Sequence, residues 1–300
     1  MDFNNFMEMV KDNMQFIVGD TAKVEIKEIS KNNGRIYHGI TVIEKDTNCA
    51  PSLYLDDMFA EYCKGMSIED IMERLRTLYF KSKCDGDIDV SFFDSYDKVC
   101  DRVMFKLIGY EKNKKMLENM PFRKITDLAV VYFCEVSDPR IGKGVIMIRN
   151  EHIAHWNIDE ERLYQDALLN TPRLNPVTLN SLLDTVEELS GMKVLDENED
   201  DFGMLVLSNK SKMFGASAIL YPNVLQEIAD KKECDLIIIP SSVHEVILMP
   251  MKNAMNSMAL QNLKNIVECV NQESVGLEDI LSDNVYRYDR AKGRCELALG

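Results

Sequence analysis

The 300-residue sequence predicts an α+β protein, with mixed or antiparallel sheets and helices packed on them. Three observations carry that prediction. Apolar runs of strand length alternate irregularly with amphipathic helical stretches, without the strict β-α-β order that would signal a parallel sheet. An Asn-Gly turn at residues 33–34 separates two β-rich runs, which is the strongest short-range signal for an antiparallel hairpin. The last hundred residues read strand, strand, helix, strand, strand, helix, a C-terminal ββαββα unit.

In chain order, Phe6, Met7, Val10, Met14 and Ile17 recur at spacings of three and four and predict a first helix over residues 4–17. Residues 24–30 and 35–43 are the hairpin strands, followed by a short strand at 51–55 and a helix at 56–64. A further helix starts at Ser67, with Asp70 three residues on as an approximate capping box and Met66 and Ile71 as a hydrophobic staple. Its buried face is Ile68, Ile71, Met72, Leu75, Leu78 and Tyr79. Strands are expected at 102–110, 127–136 and 145–149, with a Lys-rich helix at 111–120. After Trp156 the pattern turns helical until residues 170–176, whose two prolines end it, and a helix follows at 179–189. Residues 196–201 are expected as an acidic, solvated loop. The C-terminal region has expected strands at 203–208, 216–220, 235–239 and 245–249, helices at 222–231 and 255–270, and a final strand pair at 285–288 and 294–297. The pattern divides the chain into an N-terminal α+β region, 1–100, a middle region, 101–195, and the ββαββα region, 196–300.

Composition narrows the function classes. A 46% hydrophobic content excludes a disordered chain, and 35 Lys plus Arg against 50 Asp plus Glu leaves a net charge of −15. Nucleic acid is therefore disfavoured as a partner, because most of the surface repels phosphate. No apolar run approaches the roughly 20 residues needed to cross a bilayer, so no membrane association is expected. Asp2, Glu8, Lys11 and Asp12 interrupt the first apolar stretch, unlike a secretory signal. The eight cysteines, at 49, 63, 84, 100, 134, 234, 269 and 295, never form a Cys-x-x-Cys pair, which fits reduced thiols in the cytoplasm.

A set of ordered motifs is more specific. These are Leu107-Ile-Gly-Tyr-Glu-Lys-Asn113, Asn150-Glu-His-Ile-Ala-His-Trp156, Asn170-Thr-Pro-Arg173, Phe214-Gly-Ala-Ser-Ala-Ile-Leu-Tyr-Pro222, Ile239-Pro-Ser-Ser-Val-His-Glu-Val-Ile-Leu248 and Leu281-Ser-Asp-Asn-Val-Tyr286. In this combination, which spans most of the chain, the sequence resembles an uncharacterised family of Clostridia-type bacteria catalogued only as the domain of unknown function numbered 5688. The resemblance implies a bacterial cytosolic protein, often with mobile-element-rich gene neighbours. It carries over no activity and no catalytic residue.

Each candidate chemistry is incomplete. His152 and His155 stand three apart, not four as in the zinc-protease helix, and His244-Glu245 lacks a second His. No metal site and no cofactor are expected. Ser241, Ser242, His244 and Glu245 supply nucleophile, base and acid types, but alternation sends neighbours on a strand to opposite faces, and no Gly-x-Ser-x-Gly elbow is present. A Pro-Ser-Ser hairpin turn between two buried strands accounts for the same residues. Residues 140–144 lack phosphate-loop spacing, and 196–207 lacks the Gly and Glu of a calcium loop. Two functions follow. The first is a non-catalytic accessory or regulatory protein acting through contacts with a protein partner, for which Tyr286, Arg287, Tyr288, Met251, Met255 and Met258 are the contact candidates because such side chains dominate interface centres. The alternative is a hydrolase-like enzyme using His244 and Glu245 with Ser241 or Ser242, and His152 or His155 from another segment.

Overall fold

A computed structural model describes residues 1–45, 47–83, 86–140, 142–191, 203–251 and 256–299. Cys84, Met255 and the acidic segment 196–201 lie outside the described residues. The chain forms two compact units, Met1–Asp94 with Glu135–Val145 and Ser95–Cys134 with Ile146–Gly300.

In the first unit, helix α1 (Phe3–Val18) starts where the Asp2 carboxylate accepts the Asn5 N–H at 2.9 Å, satisfying one of the donors that a helix start leaves open. Strands β1 (Ala22–Ser30) and β2 (Ile36–Glu44) pair antiparallel from Ala22↔Glu44 to Ser30↔Ile36. The Asn-Gly turn closes them, with Asn33 at φ 58° and Gly34 at φ 71°, the left-handed conformation these residue types tolerate. Strand β3 (Ser52–Tyr54) adds to β2, and helices α2 (Asp56–Cys63) and α3 (Ile68–Ser82) follow. Ser67 caps α3 as expected, its Oγ accepting the Asp70 N–H at 3.1 Å. Phe6, Val10 and Met14 of α1 meet Val24, Ile40 and Val42 of the sheet and Ile71, Leu75 and Tyr79 of α3 in one core. Because side chains alternate along a strand, Lys23, Glu25, Lys27 and Ile29 of β1 and Tyr37, Gly39 and Thr41 of β2 share the opposite face.

The second unit begins with the short helix α4 (Tyr96–Val99), strand β4 (Val103–Gly109), the one-turn helix α5 (Lys114–Leu117), β5 (Phe122–Ile125) and β6 (Leu128–Asp138), whose residues from Glu135 on belong to the first unit, as does β7 up to Val145. β7 (Gly142–Met147) pairs with β6. Then come α6 (Asn150–Trp156), α7 (Glu160–Leu174), β8 (Val177–Ser181), α8 (Leu182–Ser190), β9 (Leu205–Asn209), α9 (Val224–Lys232), β10 (Leu236–Pro240), β11 (Val246–Pro250), α10 (Ser257–Glu273), β12 (Tyr286–Asp289) and β13 (Arg294–Leu297). Among the described residues, one sheet has the order β4-β6-β5 and a six-stranded one the order β13-β12-β10-β11-β9-β8. Both are built from antiparallel pairs, so the molecule is α+β as the irregular alternation predicts. Leu260 and Val267 bury one face of α10 against Ile237 and Met249 of the six-stranded sheet and Val285 just before β12.

Local differences from the sequence reading have local causes. Residues 216–220, expected as a strand, lie in the 3₁₀ helix Gly215–Leu220. A Cβ at Gly215 would lie 2.2 Å from Ser208 Oγ and 2.5 Å from the His244 carbonyl oxygen, so the chain turns there with no side chain, and the small Ala-Ser-Ala run fits the tight turn that follows. Helix α7 continues through Pro172 instead of ending at 170. Asn170 Nδ2 donates to the carbonyls of Cys100 and Val103, and Thr171 Oγ1 accepts the Phe105 N–H at 3.1 Å, so contacts with β4 hold the last turn. The helix expected from 179 begins at Leu182, because 177–181 pairs with β9 and Ser181 caps the helix by accepting the Asp184 N–H at 3.0 Å. The Lys-rich helix expected at 111–120 is reduced to a 3₁₀ turn, Glu111–Asn113, and α5.

Candidate functional site

Two polar centres of the second unit are built largely from the motif residues. The first surrounds Asp127, at the turn between β5 and β6. In the Leu281-Ser-Asp-Asn-Val-Tyr286 segment the chain bends at Asp283 and Asn284, where the Asn284 N–H donates to Ser282 Oγ at 2.9 Å, before it enters β12 at Tyr286. Three of its side chains donate to the Asp127 carboxylate, from Ser282 Oγ at 2.7 Å, Asn284 Nδ2 at 3.0 Å and Tyr286 Oη at 2.8 Å. Asn271 of α10 steadies the segment, its Nδ2 donating to the Ser282 carbonyl at 3.1 Å and to Asp283 at 2.8 Å. Burial pushes the Asp127 pKa up, yet the three donors outweigh it and hold the carboxyl below its ordinary range. Burial, with the adjacent carboxylate, pushes the Tyr286 phenol up, which keeps it a donor. A carboxylate so stabilised as an anion is a poor proton acceptor; its work is to tie a turn to the C-terminal strands.

The second centre surrounds His244 in the β10–β11 turn. Its Nδ1 accepts the Phe214 N–H at 3.1 Å and its Nε2 faces Asp279 Oδ1 at 3.3 Å, so the neutral ring carries its proton on Nε2. The ring stacks on Phe214 with centroids 5.9 Å apart, and Lys106 Nζ lies 4.1 Å from the centroid of that phenyl ring. The serines engage other partners: Ser242 Oγ accepts the His244 N–H at 3.0 Å, and Ser241 Oγ lies 3.4 Å from the Glu245 carboxylate. The turn thus brings Ser241, Ser242, His244, Glu245 and Asp279 together. A hydrolytic triad needs one ring nitrogen on the nucleophile and the other on the carboxylate, whereas here a backbone N–H occupies the nitrogen a serine would need.

The remaining candidates are dispersed. His152 and His155 lie on α6, where His152 Nδ1 accepts the Arg149 N–H at 3.0 Å and its ring packs on Trp156. Burial lowers the His152 pKa, with the Arg149 and His155 charges adding to the effect against Glu151. Tyr286 and Tyr288 are 2% and 7% exposed, and Tyr288 Oη donates to Gln226 Oε1 at 2.8 Å, so both rings are used inside the fold. Arg287 donates through Nε to Asp235 at 2.9 Å. Met251 packs partly buried against the α10 core, whereas Met258 is 72% exposed. A cavity of about 360 Å³ lies beside Tyr221, Gln226, Tyr288 and Cys295. Burial pushes the Cys295 thiol up to about 12, which leaves it a poor nucleophile there.

The sequence reading missed Asp127, Phe214 and Asp279 as site members. The spacing of Ser282, Asn284 and Tyr286 carries no signal of a shared acceptor, because a bend at Asp283 and Asn284, and not strand alternation, turns them toward a residue 155 positions earlier. Among the described residues, no three His, Cys, Asp or Glu side chains are grouped to hold a metal ion, and no helix is long and apolar enough to cross a membrane. No curated protein and no solved structure matches the chain. The model of a family of unknown function, DUF5688, matches residues 3–290, taking in both polar centres and every motif that forms them, and the chain belongs to that family.

Proposed function

We propose that the protein is a non-catalytic accessory or regulatory protein of the bacterial cytoplasm, working by binding another protein along the outer face of α10. One observation carries this reading: α10 is apolar on two sides. Its inner side packs on the sheet, while Met258, Ile266 and Val270 are exposed at 72%, 58% and 46%. These three fall on one stripe at multiples of four residues, and a surface helix ordinarily places polar residues there. Asn262 falls within the stripe, the amides Gln261 and Asn265 border one side of it, and the exposed Glu273 stands at its C-terminal end, so a partner helix that is apolar with a few polar positions fits it. The thiols of Cys63, Cys100, Cys134, Cys234, Cys269 and Cys295 stand outside disulfides, which fits a reducing compartment.

The experiment uses Cys269, which is exposed and flanks Ile266 and Val270 on the same helix. A partner co-purified from the native bacterium and then recombined in pure form is expected to slow labelling of Cys269. The double variant Ile266→Glu, Val270→Glu is expected to stay folded and lose the complex. Unchanged labelling, together with full binding by the variant, overturns the reading. The hydrolase alternative draws support from the His244–Asp279 pair alone; turnover of a small substrate that His244→Ala abolishes would establish it instead.

A further inference from the structure

The first unit carries a surface whose chemistry runs against that of the whole chain. On the face of the β1-β2-β3 sheet turned away from the α1 core, Gly39 is paired with Lys27 on one side and Tyr54 on the other, and Ile29 is paired with Tyr37. A Cβ on Gly39 would lie 2.7 Å from Ile29 Cδ1, so this glycine lets the Ile29 side chain lie flat over the sheet. Beside that floor the Tyr37 and Tyr54 rings meet at 4.8 Å between centroids, tilted by 37°. Both tyrosines are only partly buried. Lys31 Nζ stands 5.5 Å from the Tyr54 centroid, and the Arg35 guanidinium carbon 4.9 Å from the Tyr37 centroid. Each ring thus has a cation beside it, and both cations come from the hairpin end, where the Lys31 N–H donates to the Arg35 carbonyl at 2.7 Å.

Charge is arranged in the same sense. Lys23 and Lys27 extend the row along β1, and the one acidic side chain between them, Glu25, is paired to both, at 2.6 Å and 3.3 Å. Lys23, Lys27, Lys31 and Arg35 against Glu25 leave this face with a local excess of positive charge on a chain of net charge −15. A scattered surface would carry the sign of the whole. A basic row confined to the face that also holds two adjacent rings matches a polyanion bearing flat apolar groups, which is the chemistry of unpaired bases on a phosphate backbone.

We propose that this sheet face binds single-stranded nucleic acid, with Tyr37 and Tyr54 stacking on bases and Lys27, Lys31 and Arg35 meeting phosphates. Lys31 and Arg35, side by side at the hairpin end, move from the rings to the backbone as bases take their place. Duplex is not the fitting ligand, because its base faces are already stacked. The surface is independent of α10, so neither reading rests on the other.

The test is fluorescence anisotropy of a labelled oligothymidylate with the full chain, against a duplex of equal length and against heparin and poly-glutamate. Saturable binding is expected, at least about tenfold tighter to the single strand than to the duplex. With three phosphate contacts, affinity should fall by about 20-fold between roughly 50 and 200 mM salt. Tyr37→Leu with Tyr54→Leu should weaken binding by about tenfold or more, while Tyr37→Phe with Tyr54→Phe should retain it, because stacking uses the ring and not the hydroxyl. Lys27→Glu, Lys31→Glu, Arg35→Glu should abolish binding with the far-ultraviolet dichroism unchanged. No binding at the lower salt overturns the proposal, as does equal binding of duplex, heparin or poly-glutamate, or full retention by the folded leucine variant.

Discussion

At the scale of single residues, the clearest consequences attach to Asp127 and Gly215. Replacing Asp127 by Ala would leave Ser282, Asn284 and Tyr286 without the acceptor they share, and unfolding in urea should show a loss of about 3 kcal/mol. The pH dependence has a definite sign. Because the folded-state pKa lies below the ordinary value of 3.8, the ionised carboxylate contributes stability fully above that value and loses it as the pH falls through the lower, folded-state one. Urea midpoints measured from neutral pH down to about pH 3 should therefore fall less steeply for Asp127→Asn than for wild type. Gly215→Ala places a methyl group against Ser208 Oγ and the His244 carbonyl oxygen, and is expected to cost about 3 kcal/mol in the same assay. Ser208→Ala would relieve only part of that cost, since the carbonyl contact remains.

At the scale of elements, α10 and α3 separate burial from capping. Leu260→Ala opens the inner side of α10 and should cost about 2 to 4 kcal/mol, whereas Ile266→Ala on the outer side should stay within about 0.5 kcal/mol. Equal costs at the two positions would mean that the outer stripe is packed and not available to a partner. Ser67→Ala removes the cap of α3 and should cost about 1 kcal/mol, with Ser67→Asp restoring it. The caps also mark how far elements can be read from sequence. Ser67 was legible because a polar cap, an acid three residues on and a clean apolar period agree. Ser181 is not legible as a cap, because the residues before it alternate too briefly to announce β8 as an edge strand, and only pairing with β9 makes them one. The run at 216–220 was misread for a related reason: small residues in a short apolar stretch fit a strand or a tight helix, and the close approach at Gly215 selects the second.

At the scale of the whole molecule, the thiols give a test that spans both units. Cys63 and Cys269 are exposed, while burial pushes Cys134 and Cys295 up to about 12. A thiol reagent at mildly alkaline pH should modify Cys63 promptly and Cys269 more slowly, since the Glu273 charge raises the Cys269 pKa. Cys134, which is fully buried, should react only on unfolding, and its prompt modification in the native protein would contradict the packing described; Cys295, partly exposed beside the cavity, should react slowly in the native protein because so little of it is thiolate. By itself the sequence determined the α+β class, the β1–β2 hairpin, the amphipathic helices and the family, because each rests on periodicity, turn chemistry or motif order, and all of these act over short stretches of chain. Only the tertiary structure decided which motif residues meet. Asp127 lies 155 positions before Ser282, His244 lies 30 after Phe214, and Tyr286 is turned inward although its residue type suits an interface. Such pairings depend on which strands become neighbours and which faces they bury, and that choice is made by the packing of the whole core.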